Sequence, residues 1–147
     1  MKRVVAEQRL GFAATVCPDG TPNLSPKGTT VVWDDEHLAF VDLASPQTIA
    51  NLRENPAIEI NVVDQVVRKG YRFKGKANVH ADGRVFDEVI ARYAADEHFA
   101  DYAGRAAHVV LIRVERALPL VSPAYDLGLS EAEVTGHWRS YWRELNA

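Results

Sequence analysis

The sequence predicts a mainly β fold, a six-stranded antiparallel sheet that curls into a small barrel with a few flanking helices. Three observations predict it. Apolar or alternating runs of strand length recur along the chain, and turn residues separate most of them. The few helical stretches do not alternate regularly with the strands, as a doubly wound sheet requires. At 147 residues, with no repeat, low-complexity tract or Gly/Ser linker, the chain reads as one domain over residues 1–147. Hydrophobic residues make up 47% and charged residues 25%, enough for an ordinary packed core.

The first strand is "GFAATV". The turn "CPDGTP" follows: Pro18 presets φ, Asp19 bonds to the backbone, and Gly20 gives access to positive φ. "NLSPKGTTVVW" then resumes extended structure, so the pair is a hairpin. Pro26 inside that second run implies an edge or a bulge, and Gly28 suggests close approach to the backbone. After the acidic turn "DDE" comes a third strand, "HLAFVDL". "AIEINVVD" alternates Ile58, Ile60 and Val62 with polar Glu59 and Asn61, so one face is buried. "YRFKGKANVHAD" alternates in the same way, with Tyr71, Phe73, Gly75 and Ala77 on one face and Arg72, Lys74 and Lys76 on the other. "DGRVFDEVIARYAADE" is a helix, because Val85, Val89 and Tyr93 recur at four-residue spacing. "HVVLIRVERALPLV" is the last long strand. The tail "SEAEVTGHWRSYWREL" is helical, with Ser130 as N-cap and Glu133 completing a capping box.

Between the third and fourth strands lies "ASPQTIANLRENP", a short helix with distinct ends. Ser45 is its N-cap, Pro46 occupies the first helical position, and Asn55 and Pro56 end it. Its first turn holds no acid. The backbone N–H groups of Gln47 and Thr48 have no intrahelical partner, and the helix dipole adds about half a positive charge there. The end is therefore open to an external anion such as a phosphate, with the Thr48 hydroxyl and Gln47 amide at hand and Asn51 one turn behind. The plainer alternative is an end that is merely capped and hydrated.

Other chemistry is sparse. None of His37, His80, His98, His108 and His137 pairs at a metal-ligand spacing, so no metal site is expected. No nucleophile elbow or P-loop is present, and no side chain stands out as a catalytic acid, base or nucleophile. The lone Cys17 reads as a small hydrophobe, and it suits a reducing, cytoplasmic location. Asp34, Asp35 and Glu36 read as a solvated turn. "RKGYRFKGK" reads first as a solvated strand face and second as an electropositive wall. Trp138, Tyr141 and Trp142 read as aromatics buried in a core or a subunit interface. A net charge of −3 argues against nucleic acid as the main partner, and the first residues show neither signal peptide nor membrane span.

Four stretches in order, "DGTPNLSPKG", "LAFVDL", "SPQTIANLRENPAIEINV" and "GYRFKGKA", resemble the pyridoxamine 5′-phosphate oxidase-like family, the FMN-binding split barrels. The resemblance implies a six-stranded Greek-key split barrel, a homodimer with FMN at its interface, and hydride or electron transfer on a small-molecule substrate. By the same resemblance the FMN phosphate sits at Gln47 and Thr48, with Ser45 and Asn51 nearby. Ser25, Pro26 and Lys27 run along the flavin, and Val41, Asp42 and Leu43 border it. Lys27 places positive charge beside the flavin or its phosphate, and Tyr102 or Trp138 are candidates to cover the ring. Relatives that prefer the deazaflavin F420, or that bind haem, share much of this pattern, so an F420-dependent reductase is one alternative and a non-catalytic flavin-binding protein is another. The tail "GHWRSYWREL" only loosely echoes the C-terminal segment of the true pyridoxine phosphate oxidases, so oxidation of vitamin B6 phosphates is not expected.

Overall fold

A computed structural model describes residues 1–147 as one curled antiparallel sheet with five helices. In chain order the elements are α1 (Lys2–Gln8), β1 (Gly11–Val16), β2 (Pro22–Lys27), β3 (Val31–Val32), β4 (His37–Asp42), α2 (Pro46–Glu54), β5 (Ala57–Asp64), β6 (Lys69–His80), α3 (Gly83–Ala94), α4 (Ala100–Ala103), β7 (His108–Val121) and α5 (Glu131–Leu145). The sheet order is β2-β1-β5-β6-β7-β4-β3.

That order explains the curl. β2 and β3 form the two opposite edges of the sheet, yet only Gly28, Thr29 and Thr30 separate them in sequence. Three residues reach roughly 14 Å at most from Lys27 to Val31. The sheet must therefore bend until its edges nearly meet. Pro26 lies on the β2 edge, where its missing N–H breaks no ladder.

The strand count is seven rather than the expected six, because "NLSPKGTTVVW" is not one strand. Its ladder stops at Lys27, and side-chain hydroxyls replace it. Thr30 Oγ1 donates to the Lys27 carbonyl at 2.9 Å, while Thr29 Oγ1 donates to the Val41 carbonyl at 3.0 Å and accepts from the Val41 N–H at 3.2 Å. The chain turns there and restarts as β3.

The barrel interior is the main core. Ile58, Ile60 and Val62 of β5 face it, as their alternation predicts, together with Leu38 and Phe40 of β4 and Phe73 of β6. β4 is buried on both faces, because Val41 lies in a second, outer cluster with Val89 and Tyr93 of α3 and with Phe99, the residue before α4. This two-sided burial accounts for the unbroken apolar run in "HLAFV". α1 was not legible as a helix: it has seven residues, two of them adjacent valines, and it buries only Val5. Arg9, in the left-handed region at φ 51°, ends it. The four-residue α4 was likewise not expected.

The basic stretch is neutralised in place. Lys74 and Arg72 face Glu59 at 3.2 and 3.9 Å, Lys76 faces Glu115 at 3.9 Å, and Lys69 bonds Glu131 at 2.7 Å. This is the solvated strand face of the first reading. α5 carries the expected capping box, and Arg68 lies 3.4 Å from the centre of the Trp138 ring. No helix is long and apolar enough to cross a membrane.

Candidate functional site

Where the two sheet edges approach, a cleft of about 510 Å³ opens. β2 contributes Ser25, Pro26 and Lys27, and the crossing segment contributes Gly28 and Thr29. The end of β4 and the approach to α2 contribute Val41, Asp42, Leu43, Ala44 and Ser45. Tyr102 of α4 closes one side. Seven of the residues named from the sequence thus line one cleft: Ser25, Pro26, Lys27, Val41, Asp42, Leu43 and Ser45.

Lys27 is the centre of the arrangement. Residues 25 and 27 share a strand face, so the ammonium and the Ser25 hydroxyl meet: Nζ donates to Ser25 Oγ at 2.7 Å. It also donates to Ser45 Oγ at 2.6 Å, across the sheet edge. Lys27 is 6% exposed, and burial pushes its ammonium below the ordinary lysine range, with the Asp42 carboxylate opposing that shift. Phe40 lies beneath it, with the ring centre 5.4 Å from Nζ.

Ser45 occupies the N-cap position of α2 but does not cap it. Its hydroxyl instead donates to Asp42 Oδ1, and its backbone N–H donates to the same oxygen at 2.9 Å. The Gln47 and Thr48 N–H groups are left without a protein acceptor. The first turn of α2 contains no acid. The helix thus begins with two unpartnered peptide N–H groups directly after Ser45, the cleft residue that Lys27 bonds, and a positive helix end beside a buried cation is a donor set suited to an anion such as a phosphate.

Asp42 is held from behind. Its Oδ2 lies 3.5 Å from His108 Nδ1, its cross-strand neighbour in the β4–β7 register. Arg53 donates to His108 Nε2 at 3.0 Å, so the ring proton sits on Nδ1, facing the carboxylate. Sequence reasoning assigned no role to His108, because 66 residues separate it from Asp42.

Three of the residues named from the sequence do not line the cleft. Thr48 and Asn51 are each 1% exposed and point under α2 toward β1 and β2. Asn23 Nδ2 donates to Thr48 Oγ1 at 3.2 Å, and Asn51 Nδ2 donates to Thr15 Oγ1 at 3.0 Å. Gln47 Nε2 donates to Asn51 Oδ1 at 2.7 Å. These side chains bolt the helix to the barrel. What Gln47 and Thr48 present at the helix mouth is their backbone. Of the two aromatics considered as covers, Tyr102 lines the cleft and Trp138 does not.

Comparison with known proteins bears on the family. The profile for pyridoxamine 5′-phosphate oxidase matches residues 1–119. The solved structure of HupZ from Group A Streptococcus is 33% identical, covers 83% of this chain and 92% of its own, and superposes with a TM-score of 0.73. An FMN-binding protein from Syntrophomonas wolfei shares the fold at 15% identity and a TM-score of 0.67, over 82% of this chain and 84% of that one. An F420 reductase is 24% identical with a TM-score of 0.55, over 74% of this chain and 88% of its own. No curated protein sequence matches. The profile match and the HupZ likeness, on a curled sheet with an open helix mouth at its seam, establish that this chain belongs to the pyridoxamine 5′-phosphate oxidase family.

Proposed function

We propose that this chain is a homodimeric, FMN-binding oxidoreductase that passes hydride or electrons between its flavin and a small substrate. The observation that carries the proposal is the Lys27 ammonium, buried at the open mouth of α2 and aimed at a cleft of suitable size. The FMN phosphate would accept from Lys27 Nζ and from the Gln47 and Thr48 N–H groups, and the flavin would lie along Ser25 to Lys27 and against Leu43. When bound, FMN supplies the redox chemistry. The chain holds the phosphate, orients the ring and keeps a positive charge beside it. No side chain is assigned as acid or base.

F420 is the second reading, supported by the matched F420 reductase. Titrating the purified protein with FMN and with F420, followed by absorbance and fluorescence, tests both. Saturable binding of FMN with weaker binding of F420 is expected. Saturation by F420 alone moves the assignment to F420, and no uptake of either ends the proposal.

Binding should depend on pH through Lys27. A lysine whose ammonium is disfavoured by burial loses its proton at a lower pH than the ordinary 10.5. An incoming phosphate stabilises the charged form, so the bound state holds the proton longer than the free state. FMN affinity is therefore expected to fall as pH rises through the alkaline range below 10.5, where an ordinary lysine would stay charged. A flat affinity across that range contradicts the role given to Lys27.

The dimer is proposed from the outer face of β1 and β2. Phe12, Val16 and Leu24 are 42%, 40% and 65% exposed, on strands paired so that Leu24 faces Ala14 and Pro22 faces Val16. Such an apolar strip beside the cleft suits burial against a second chain. Leu24→Asp is expected to shift sedimentation from dimer toward monomer. A wild-type protein that sediments as a monomer while binding FMN contradicts the dimer.

A further inference from the structure

The segment that carries Lys27 into the cleft is clamped from a helix outside the barrel. Tyr93 of α3 is 1% exposed, and its hydroxyl donates to the Thr29 carbonyl at 2.5 Å, with the Ala39 carbonyl 3.3 Å away. Burial holds that hydroxyl protonated, well above the ordinary phenol range, so it remains a donor at any working pH. The neighbouring Arg92 donates to the Trp33 carbonyl at 2.7 Å and the Val32 carbonyl at 3.0 Å. These two side chains satisfy carbonyls of an edge segment that no further strand covers. The Thr29 side chain bonds both backbone groups of Val41, and Thr30 bonds back to the Lys27 carbonyl. These ties hold the crossing directly after Lys27, the last residue of β2.

Resting on the anion site proposed above, we infer that Tyr93 is a positioning residue for it: by holding the Thr29 carbonyl, it sets the crossing so that Lys27 Nζ stands between Ser25 and Ser45 at the mouth of α2. Tyr93 does not line the cleft, and 64 residues of sequence separate it from its partner. Its effect passes through the backbone of Thr29 and Gly28 to Lys27. Gly28 has no neighbour within 4 Å of where a Cβ would stand, so side-chain packing at that position does not hold the chain, and the ties of Thr29 and Thr30 do.

Tyr93→Phe removes the hydroxyl and keeps the ring, which packs against Phe99 with centres 5.2 Å apart. Two measurements test the inference. In the first, FMN is titrated into wild type, Tyr93→Phe, Lys27→Met and the double variant. Tyr93→Phe is expected to weaken binding by about three- to tenfold, the worth of one buried hydrogen bond. In the Lys27→Met background it is expected to add nothing, because its effect runs through that lysine. An equal loss in both backgrounds, or no loss in wild type, overturns the inference. In the second, the protein without cofactor is treated with acetic anhydride, and lysine acetylation is read by peptide mass spectrometry. Lys27 is expected to label faster in Tyr93→Phe while the exposed Lys74 does not change. An unchanged Lys27 rate overturns the inference. Should wild type take up no FMN, the proposed function fails, but the labelling still decides the role of Tyr93.

Discussion

Lys27→Met is expected to weaken FMN binding by roughly 10- to 100-fold, the worth of a charge-assisted hydrogen bond of ~1.5–3 kcal/mol. Methionine keeps a stem of similar length over Phe40 and removes the cation together with its bonds to Ser25 and Ser45. Asp42 retains its two bonds from Ser45 and its contact with His108, so the carboxylate is not stranded. The fold should therefore survive, and a thermal melt beside the titration separates lost binding from lost structure. A melting point near wild type with affinity within about twofold of wild type would remove Lys27 from the site.

Gly75→Ala is expected to damage the fold itself. At this point β6 and β7 fall out of register: Lys74 pairs with Arg116 and Gly75 with Val114, which leaves Glu115 as the extra residue of a bulge on β7. The bulge brings β7 so close that a Cβ on residue 75 would lie 2.1 Å from the Arg113 carbonyl oxygen and 3.3 Å from an Ile112 methyl. The obstacle at 2.1 Å is backbone and cannot rotate away. The strands must separate, at a cost of about 3 kcal/mol or more, a fall in melting temperature of roughly 6–12 °C for a chain of this size. A melt within about 2 °C of wild type would show that the two strands are free to shift there.

How much was legible in the sequence follows from how local each signal is. β5 and α3 announce themselves through period-2 and period-3.6 patterns that need no distant partner, and the capping box of α5 is written within four residues. The break at Gly28–Thr30 was not legible. Its cause is a set of hydroxyl bonds to Val41 and from Tyr93, and those partners lie 12 and 64 residues away. α1 and α4 are too short to show a period.

The site was half legible for the same reason. An acid-free first turn marked the mouth of α2, and the family resemblance marked Ser25 to Lys27 and Val41 to Leu43. The sequence offered no sign that the Ser45 hydroxyl would turn from its own helix toward Asp42 and Lys27. Nor did it show that Thr48 and Asn51 would spend their side chains on Asn23 and Thr15. Capping preference states which residue stands at a helix end. It does not state whether a neighbouring buried carboxylate and ammonium will claim the side chain.

A crystal structure of the protein grown with FMN tests the account most directly. The phosphate is expected within hydrogen-bonding distance of Lys27 Nζ and of the Gln47 and Thr48 N–H groups, with the flavin along Ser25 to Lys27. FMN seated elsewhere, with the mouth of α2 holding only solvent, would contradict it.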